Sequence, residues 1–251
     1  MAFTKLTAEE AAEFITNDCN VGLSGFTAPG VPKVVPEVVA HKAAAEHEAG
    51  REFKINLFTG ASTGNHVDGE LARNNAINRR TPYQNHPDLR KRINAHDAHY
   101  FDLHLSELAQ KIRYGFYGDI DVAIIEVQDI DDDGNAVLGL GVGNVPTFAK
   151  LAKKVIIEHN KHLNPKLRGV HDIFMPADPP YRGEIPIFKA SDRAGSPLLH
   201  IDPKKIIGVV ETNDPEGVKS FSSPDDTTLK IGANVCSFLA NEMKAGRIPS
   251  T

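Results

Sequence analysis

The chain has 251 residues, of which 41% are hydrophobic, and carries a formal net charge of −5. This length and composition allow a full hydrophobic core, and the acidic balance argues against a nucleic-acid partner because phosphate binding needs a basic face. No run approaches the roughly 18 consecutive apolar residues that span a bilayer, and the N-terminus lacks the apolar core of a signal peptide, so we expect a cytoplasmic protein without membrane contact.

Apolar runs bounded by turn residues predict strands at Val21–Leu23, Phe53–Phe58, Val122–Val127, Val155–Glu158 and Ile206–Val210. Helical periodicity alternates with them at Thr7–Thr16, Pro32–Ala49, Leu105–Tyr114, Pro146–Lys153 and Asp225–Lys244. Thr7 and Glu10 form an S/T-x-x-E capping box at the first helix. Short continuous strands alternating with helices predict an α/β fold with an open, mostly parallel sheet covered by helices, and we treat 1–251 as one such domain.

The region from Gly169 to Pro203 is rich in proline and glycine and shows little periodicity. It nevertheless carries several large apolar residues: Phe174, Met175, Tyr181, Ile185, Ile187 and Phe188. Because these are too many for a solvated linker, we expect an ordered excursion over the sheet. The cysteines Cys19 and Cys236 are too few for a disulfide framework and predict reduced, packed thiols.

Three glycine-rich loops follow apolar runs, and their sequences are SGFTAPGVP at 24–32, FTGASTGN at 58–65 and GLGVGNVP at 139–146. Ligands of open α/β sheets lie beyond the carboxyl ends of strands, where glycine lets the backbone approach them closely. Each loop alone is compatible with an ordinary turn, but together they predict a shared site along one edge of the sheet. None matches a dinucleotide fingerprint or a P-loop.

Other polar clusters indicate weaker candidates. The run DIDDDG at 129–134 resembles the start of an EF-hand loop, but Leu140 stands where a bidentate glutamate is needed, so an Asp-Gly hairpin turn is favoured. Four histidines, which lack the spacing of a zinc helix, favour structural or surface roles over a metal site: His86, His96, His99 and His104. Three glutamates that we expect to be buried near strand ends could act as nucleophile or base, although bracing of loop amides is favoured: Glu126, Glu158 and Glu211.

Six blocks of sequence carry a resemblance that covers essentially the whole chain, in order. They are VGLSGFTAPGVP, FTGAST, TPYQNHPDLRKRIN, YFDLHLSELAQKIRYGFYGDIDVAIIEV, GVGNVPTFAKLAKKVIIEHN and DRAGSPLLHIDPKKIIGVVETN. They resemble the class I coenzyme A transferases, in the acetyl-CoA hydrolase/transferase branch that includes acetate and succinate CoA-transferases. The resemblance implies that an acyl-CoA and a short-chain carboxylate meet in a cleft between two α/β domains. This chain, the N-terminal domain, would form one wall of that cleft.

The resemblance also implies substrate-binding residues, with coenzyme A as a substrate and no separate cofactor or metal. These residues are Gly25, Phe26, Gly30, Ser62, Gln84, Gly143 and Asn144. Gly25, Phe26 and Gly30 would shape the wall, and Ser62 would face the substrate. Gly143 and Asn144 would offer a second set of amide donors, and Gln84 is the weakest of the set.

The implied chemistry is covalent. A glutamate attacks the thioester to give an acyl-glutamyl anhydride and CoA thiolate; the thiolate then forms an enzyme-CoA thioester that passes CoA to an acceptor acid, or to water in hydrolysis. The resemblance places that glutamate in a second domain beyond Thr251, so we expect no catalytic residue here, no activity without that C-terminal domain, and a homo-oligomer. The alternatives are a non-catalytic acyl- or carboxylate-binding module, one subunit of a two-chain CoA-transferase, or a self-sufficient hydrolase that uses Glu126 or Glu211.

Overall fold

A computed structural model describes residues 3–23, 25–26, 28–218 and 220–249. The chain divides into two compact units, Met1–Val218 and Lys219–Thr251. The first unit contains the sheet and the helices that cover it, and the second contains one long helix. No helix among the described residues is long and apolar enough to cross a membrane.

The described strands form one nine-stranded sheet. They are β1 (Asn20–Leu23), β2 (Ile55–Phe58), β3 (Ile77–Thr81), β4 (His99–Tyr100), β5 (Val122–Ile130), β6 (Asn135–Leu138), β7 (Lys154–Asn160), β8 (Leu199–His200) and β9 (Ile206–Thr212). The helices are α1 (Ala8–Ala12), α2 (Val34–Glu48), α3 (Glu70–Arg73), α4 (Pro87–Asn94), α5 (Leu105–Arg113), α6 (Val145–Leu151) and α7 (Asp226–Lys244). A π-helical turn, Asn65–Gly69, leads into α3.

The sheet is mostly parallel, as the sequence predicts. Strands run parallel in the order β4-β3-β2-β1-β5, and β7 and β9 continue the parallel pairing from β5. An antiparallel extension departs from this pattern, because β6 pairs with the last residues of β5 and β8 pairs with β6. Along β5, the pairing with β1 stops at Ile124, and the pairing with β6 begins at Val127. The loop after β6 therefore starts near the level at which β1 ends.

Helices cover both faces of the sheet. Along β5 the side chains alternate, since Val122 and Ile124 join the core cluster that holds α1 to α4, whereas Ala123, Ile125 and Val127 join the cluster that holds α5 and α6. This alternation is the two-residue period of a strand. A strand buried on both faces reads as a continuous apolar run, which is why the sequence VAIIEV identifies it.

Two local predictions are confirmed at the level of single bonds. At α1, the hydroxyl of Thr7 accepts a hydrogen bond from the backbone N–H of Glu10 at 3.1 Å, and the Glu10 carboxylate accepts from the N–H of Thr7 at 2.8 Å. The helix ends earlier than predicted, at Ala12. The DIDDDG run forms a hairpin turn between β5 and β6, in which the Asp131 carboxylate accepts from the N–H groups of Asp133 and Asn135.

The region 169–203 was predicted to be an ordered excursion over the sheet, and it is ordered, with β8 and the buried Leu199 and Ile201 at its end. The expectation that its large apolar residues would pack on the sheet is wrong. Its large apolar side chains are mainly exposed, with Tyr181 84% and Phe188 80% accessible. Polar contacts hold the segment instead, because the Asp172 carboxylate accepts from the N–H groups of Ala194 and Gly195 at 2.9 and 2.8 Å. Composition indicated apolar content but could not distinguish burial under the chain from display on its surface.

The two cysteines differ in burial. Cys19 is buried, as predicted, and burial raises the pKa of its thiol. Cys236 is exposed, so the prediction that both thiols are packed is wrong for this one. It lies on α7, none of whose residues is buried.

Candidate functional site

The three glycine-rich loops meet at the carboxyl edge of β1 and β2. A Cβ built on Gly30 in the first loop would lie 2.7 Å from the carbonyl oxygen of Gly141 in the third. The side-chain amide of Asn144 in the third loop donates to the carbonyl of Thr59 in the second at 3.2 Å. The predicted shared location is therefore confirmed. Of the first loop, Ser24 and Thr27 lie outside the described residues.

Gly30 is required by geometry as well as by contact. Its φ is +69°, in the left-handed region that favours glycine, and any side chain would collide with the backbone of Gly141. Its N–H donates to the Glu216 carboxylate in the segment that follows β9. The first loop is thus held from one side by the third loop and from the other by a residue far away in the chain.

The N-terminus of α2, directly after the first loop, is closed by Glu158 of β7. This fully buried carboxylate accepts from the backbone N–H groups of Lys33 at 2.7 Å, Val34 at 3.3 Å and Val35 at 2.7 Å. These N–H groups have no partner within the helix, and here a side chain from the sheet satisfies them. The favoured bracing role is confirmed for Glu158, and the free helix end that an anion could use is already filled.

Burial and hydrogen bonding act in opposite directions on Glu158. Removal from water raises the pKa of its carboxyl, whereas the three backbone N–H groups lower it, and burial prevails to give a pKa of about 7. The charge of Glu126 adds to the increase. At neutral pH this carboxyl is therefore near the midpoint of its titration.

Glu126 of β5 forms a buried ion pair beneath the loops. One of its oxygens, Oε1, accepts from the Nζ of Lys33 and, at 2.9 Å, from the side-chain amide of Asn160. The side chains of Lys33 and Glu126 are 4% and 0% exposed. Because a buried charge is costly unless it is paired, the pair links β5 to the start of α2.

Glu211 does not lie in this buried cluster. Its carboxylate is exposed on β9, where Nζ of Lys5 and Nζ of Lys161 donate to it at 2.8 and 2.7 Å. These two lysines lower its pKa to about 2. The expectation that Glu211 is buried at a strand end is therefore wrong, because this side chain lies on the face of β9 opposite to the one that Glu158 shares with Val210, within reach of the two lysines.

A second buried ion pair, which the sequence analysis missed, holds the second loop. The guanidinium of Arg80 on β3 donates from Nε to Oδ1 of Asp68 at 2.8 Å and from Nη2 to Oδ2 at 3.1 Å, and both side chains are 0% exposed. Asp68 also accepts from the backbone N–H of Thr63 at 3.0 Å. The two adjacent arginines in INRRT interrupt any apolar run, so neither β3 nor the pairing of Arg80 with Asp68 was predicted.

The predicted substrate-binding residues lie on or beside these loops, but differ in exposure. Phe26 is 61% accessible, and Gly143 is exposed. Ser62 is buried, with its hydroxyl 2.5 Å from Oδ1 of Asn85 and 3.3 Å from Oδ2 of Asp68. The remaining four are buried or half-buried: Gly25, Gly30, Gln84 and Asn144. Their contact with a substrate stays a prediction.

The histidine-rich segment contributes to structure. His86 is the N-cap of α4, where its Nδ1 accepts from the N–H of Asp88 at 3.3 Å, and His99 lies in the edge strand β4. Within the described ranges no three histidine, cysteine or acidic side chains are grouped so as to hold a metal ion.

The chain belongs to the acetyl-CoA hydrolase/transferase family, whose N-terminal domain it matches over residues 2–211. It is 45% identical over 247 residues to the propanoyl-CoA:succinate CoA transferase of Escherichia coli, covering 98% of this chain and 50% of that one. It is 39% identical to the succinyl-CoA:acetate CoA-transferase of Clostridium kluyveri (97% and 45% covered) and 36% identical to the acetyl-CoA hydrolase of Saccharomyces cerevisiae (96% and 47% covered). The chain spans about half the length of the curated relatives it matches.

Solved structures support the fold. RipA from Yersinia pestis superposes with a TM-score of 0.61 at 17% identity, covering 89% of this chain and 45% of that one. A variant of the decarboxylase AibA/AibB superposes with a TM-score of 0.55 at 12% identity, and the match covers 95% of both chains. The same fold thus occurs as half of a longer chain and as a chain of about this length.

Proposed function

We propose that this chain is the N-terminal half of an acyl-CoA:carboxylate CoA-transferase or acetyl-CoA hydrolase, and that it forms one wall of the cleft in which acyl-CoA and carboxylate meet. The observation that carries the proposal is the meeting of the three glycine-rich loops at one edge of the sheet, in a chain of this family. Convergent loops at the carboxyl ends of strands form the ligand-binding crevice of open α/β sheets.

Within this proposal the loops bind substrate and do not supply a covalent group. Gly25, Phe26 and Gly30 shape the wall, Gly143 and Asn144 present amides to a developing oxyanion, and Gln84 completes the polar lining. Ser62 supports this lining from within the second loop, through its contacts with Asn85 and Asp68. Well-placed donors of this kind each contribute about 3–4 kcal/mol to a transition state that carries an oxyanion. Coenzyme A is a substrate, and no resident cofactor is required.

The covalent glutamate is assigned to a C-terminal domain, and the positions of the glutamates in this chain support that assignment. Glu126 and Glu158 are buried and engaged with Lys33 and the start of α2, so neither is open to a substrate. Glu211 is exposed, but two lysines hold it on β9. A self-sufficient hydrolase that uses one of these three residues is therefore disfavoured.

A chimera tests the proposal. The chain replaces the aligned half of the E. coli propanoyl-CoA:succinate CoA transferase, to which it is 45% identical. We expect the chimera to transfer CoA between propanoyl-CoA and succinate, and each half alone to be inactive, because the two halves would supply different parts of one site. Trapping with borohydride followed by intact-mass analysis should locate the modified glutamate in the E. coli half.

Two outcomes would contradict the proposal. One is a chimera that has the circular dichroism of a folded protein but transfers no CoA. The other is robust turnover by the chain alone that survives both Glu126→Gln and Glu211→Gln. Binding of acyl-CoA by the chain alone, with an inactive chimera, would support the alternative of a non-catalytic binding module. Activity on mixing the separate halves would support a two-chain arrangement. The cytoplasmic location and the homo-oligomeric state stay predictions.

A further inference from the structure

Two buried carboxyl groups, those of Glu126 and Glu216, approach each other beside Gly139, close enough for a side-chain hydrogen bond between them. A Cβ built on Gly139 would lie 3.2 Å from Oε2 of Glu126 and 3.4 Å from Oε2 of Glu216, so both oxygens approach the same point. In the part of the chain that the structure describes, both oxygens are buried and have no hydrogen-bond donor. The other oxygen of each group is occupied, by Lys33 and Asn160 on Glu126 and by the N–H of Gly30 on Glu216.

Two ionised carboxylates this close repel each other because they carry like charge, and neither can donate a hydrogen bond to the other. A single proton changes this contact into a hydrogen bond, and both orphaned oxygens are then satisfied at once. Burial and the charge of Glu126 raise the pKa of Glu216 to about 7, in agreement with a proton retained between them.

We propose that Glu216 and Glu126 share one proton, and that through this hydrogen bond Glu216 acts as a positioning residue for the first glycine-rich loop. The proton ties the segment 213–218, which follows β9, to the buried end of β5. Glu216 in turn holds the N–H of Gly30, and Gly217 lies against Ala28, because a Cβ built on Gly217 would be 2.5 Å from the Cβ of Ala28.

A neighbouring contact fixes where the segment begins. The side-chain N–H of Asn160 donates to the backbone carbonyl of Asp214 at 2.8 Å, and the side-chain Oδ1 of Asn160 accepts from the N–H of Asp214 at 3.2 Å. Asn160 and Glu126 thus hold two points of one short strap, residues 213–218, across the first loop. The contact at Asp214 does not involve the shared proton, so loss of the proton releases only the Glu216 end.

The charged groups around the pair set the direction of the pH response. Lys33 on the α2 side lowers the pKa of Glu216, whereas Glu126 raises it. Glu158 on β7 is a further acidic group whose pKa the charge of Glu126 raises, and the Nε2 of His171, in the loop before β8, lies 2.6 Å from the carbonyl oxygen of Gly139. As the pH rises through about 7, Glu216 gives its proton to solvent. The two carboxylates then repel, and the hold on Gly30 weakens.

Nuclear magnetic resonance of the chain labelled with 15N-glycine and 13C-carboxyl glutamate tests the proposal without any assay of function. Glu158 also has a pKa of about 7, so we expect two glutamate carboxyl signals to titrate in this range. The signal of Glu216 should share its inflection with the Gly30 and Gly139 amide signals. In Glu216→Gln this titration should disappear while the Gly30 signal keeps its low-pH position. A glutamine can accept from Gly30 through its oxygen and donate to Glu126 through its amide.

Two further variants separate positioning from general damage. Glu216→Ala removes both contacts, so the Gly30 amide should lose its protection from hydrogen exchange at every pH. Glu211→Gln changes an exposed carboxylate on β9 and should leave the titration unchanged. A Gly30 titration that persists in Glu216→Gln would overturn the proposal, as would a Gly30 amide that does not titrate in the unaltered chain.

The role in catalysis rests on the proposed function, and the chimera examines it separately. In the chimera, kcat/KM should fall as the pH rises through about 7, and Glu216→Gln should make kcat/KM less dependent on pH in this range. An inactive chimera together with the expected titration would refute the proposed function and leave the shared proton standing. An active chimera whose alkaline decline is unchanged in Glu216→Gln would refute the positioning role.

Discussion

Replacement of Glu158 by alanine should destabilise the fold by removing the acceptor that closes the N-terminus of α2. The carboxylate makes two short hydrogen bonds of 2.7 Å, to the N–H groups of Lys33 and Val35, and a longer one to Val34. Each buried donor left without a partner costs about 1–3 kcal/mol. Two donors lose their acceptor, and the surrounding structure can relax in part. We therefore expect Glu158→Ala to lower the free energy of unfolding by about 2–4 kcal/mol at mildly alkaline pH.

The loss should depend on pH, and the sign follows from the raised pKa. The carboxyl of Glu158 has a pKa of about 7 in the folded chain, against 4.5 for an ordinary glutamate. The folded state therefore binds the proton more tightly. The resulting stabilisation is complete below the ordinary pKa and is lost as the pH rises from there to about 7. A pKa shift of this size corresponds to about 3 kcal/mol. The difference in the free energy of unfolding between the unaltered chain and the variant should therefore increase by up to that amount towards about pH 5.

Urea unfolding followed by far-ultraviolet circular dichroism, at about pH 5 and about pH 8, measures both effects. Glu158→Gln is the matched variant: it keeps one acceptor but cannot ionise, so it should lose less stability than alanine and show the same loss of pH dependence. Glu211→Gln, on an exposed carboxylate, should change little. If Glu158→Ala cost less than about 1 kcal/mol at both pH values, the closing of α2 by this carboxylate would not be a stabilising contact. A pH dependence equal to that of the unaltered chain would refute the assignment of the raised pKa.

Two other substitutions test the loops. Gly30→Ala places a methyl group 2.7 Å from the carbonyl oxygen of Gly141 at a φ of +69°. It should lower the free energy of unfolding in urea by about 1–3 kcal/mol and reduce the activity of the chimera by a larger factor. Unchanged activity of the chimera would show that the first loop does not shape the cleft. Asp68→Asn leaves the fully buried Arg80 without its counter-charge and should lower the free energy of unfolding by about 3–5 kcal/mol. The control, Asp88→Asn in a solvent-accessible ion pair at the start of α4, should leave it nearly unchanged. Equal effects of the two substitutions would mean that the Arg80 pair does not hold the second loop.

The sequence predicted correctly those parts of the fold that depend on residues adjacent in the chain. The capping box at Thr7 and the doubly buried strand β5 are read from a few adjacent residues, because a helix start and a strand period are local properties. Convergence of the first two glycine-rich loops also followed, since the carboxyl ends of parallel strands lie at one edge of a sheet. The third loop reaches the same edge for a reason that the sequence did not show: the antiparallel strand β6 ends near the level at which β1 ends.

The polar contacts beneath the loops could not be predicted in this way. Arg80 is buried only because Asp68, on a π-helical turn, neutralises it, and INRRT by itself indicates a surface segment. Glu158 and Glu211 both lie in apolar strands, yet the start of α2 encloses the first, whereas the second is exposed beside two lysines. Such differences depend on strand order, which a single sequence does not state.

The hydrogen bond between Gly30 and Glu216 joins residues 186 positions apart. On the ribosome the first loop is therefore made early, but the residue that fixes it emerges only after β9, near the end of the first unit. Contacts of such long range form late, because the intervening chain must first be ordered. During synthesis the sheet around β1 can begin to assemble before Glu216 is made, so the glycine-rich edge of a nascent chain would be fixed only after β9 has been added.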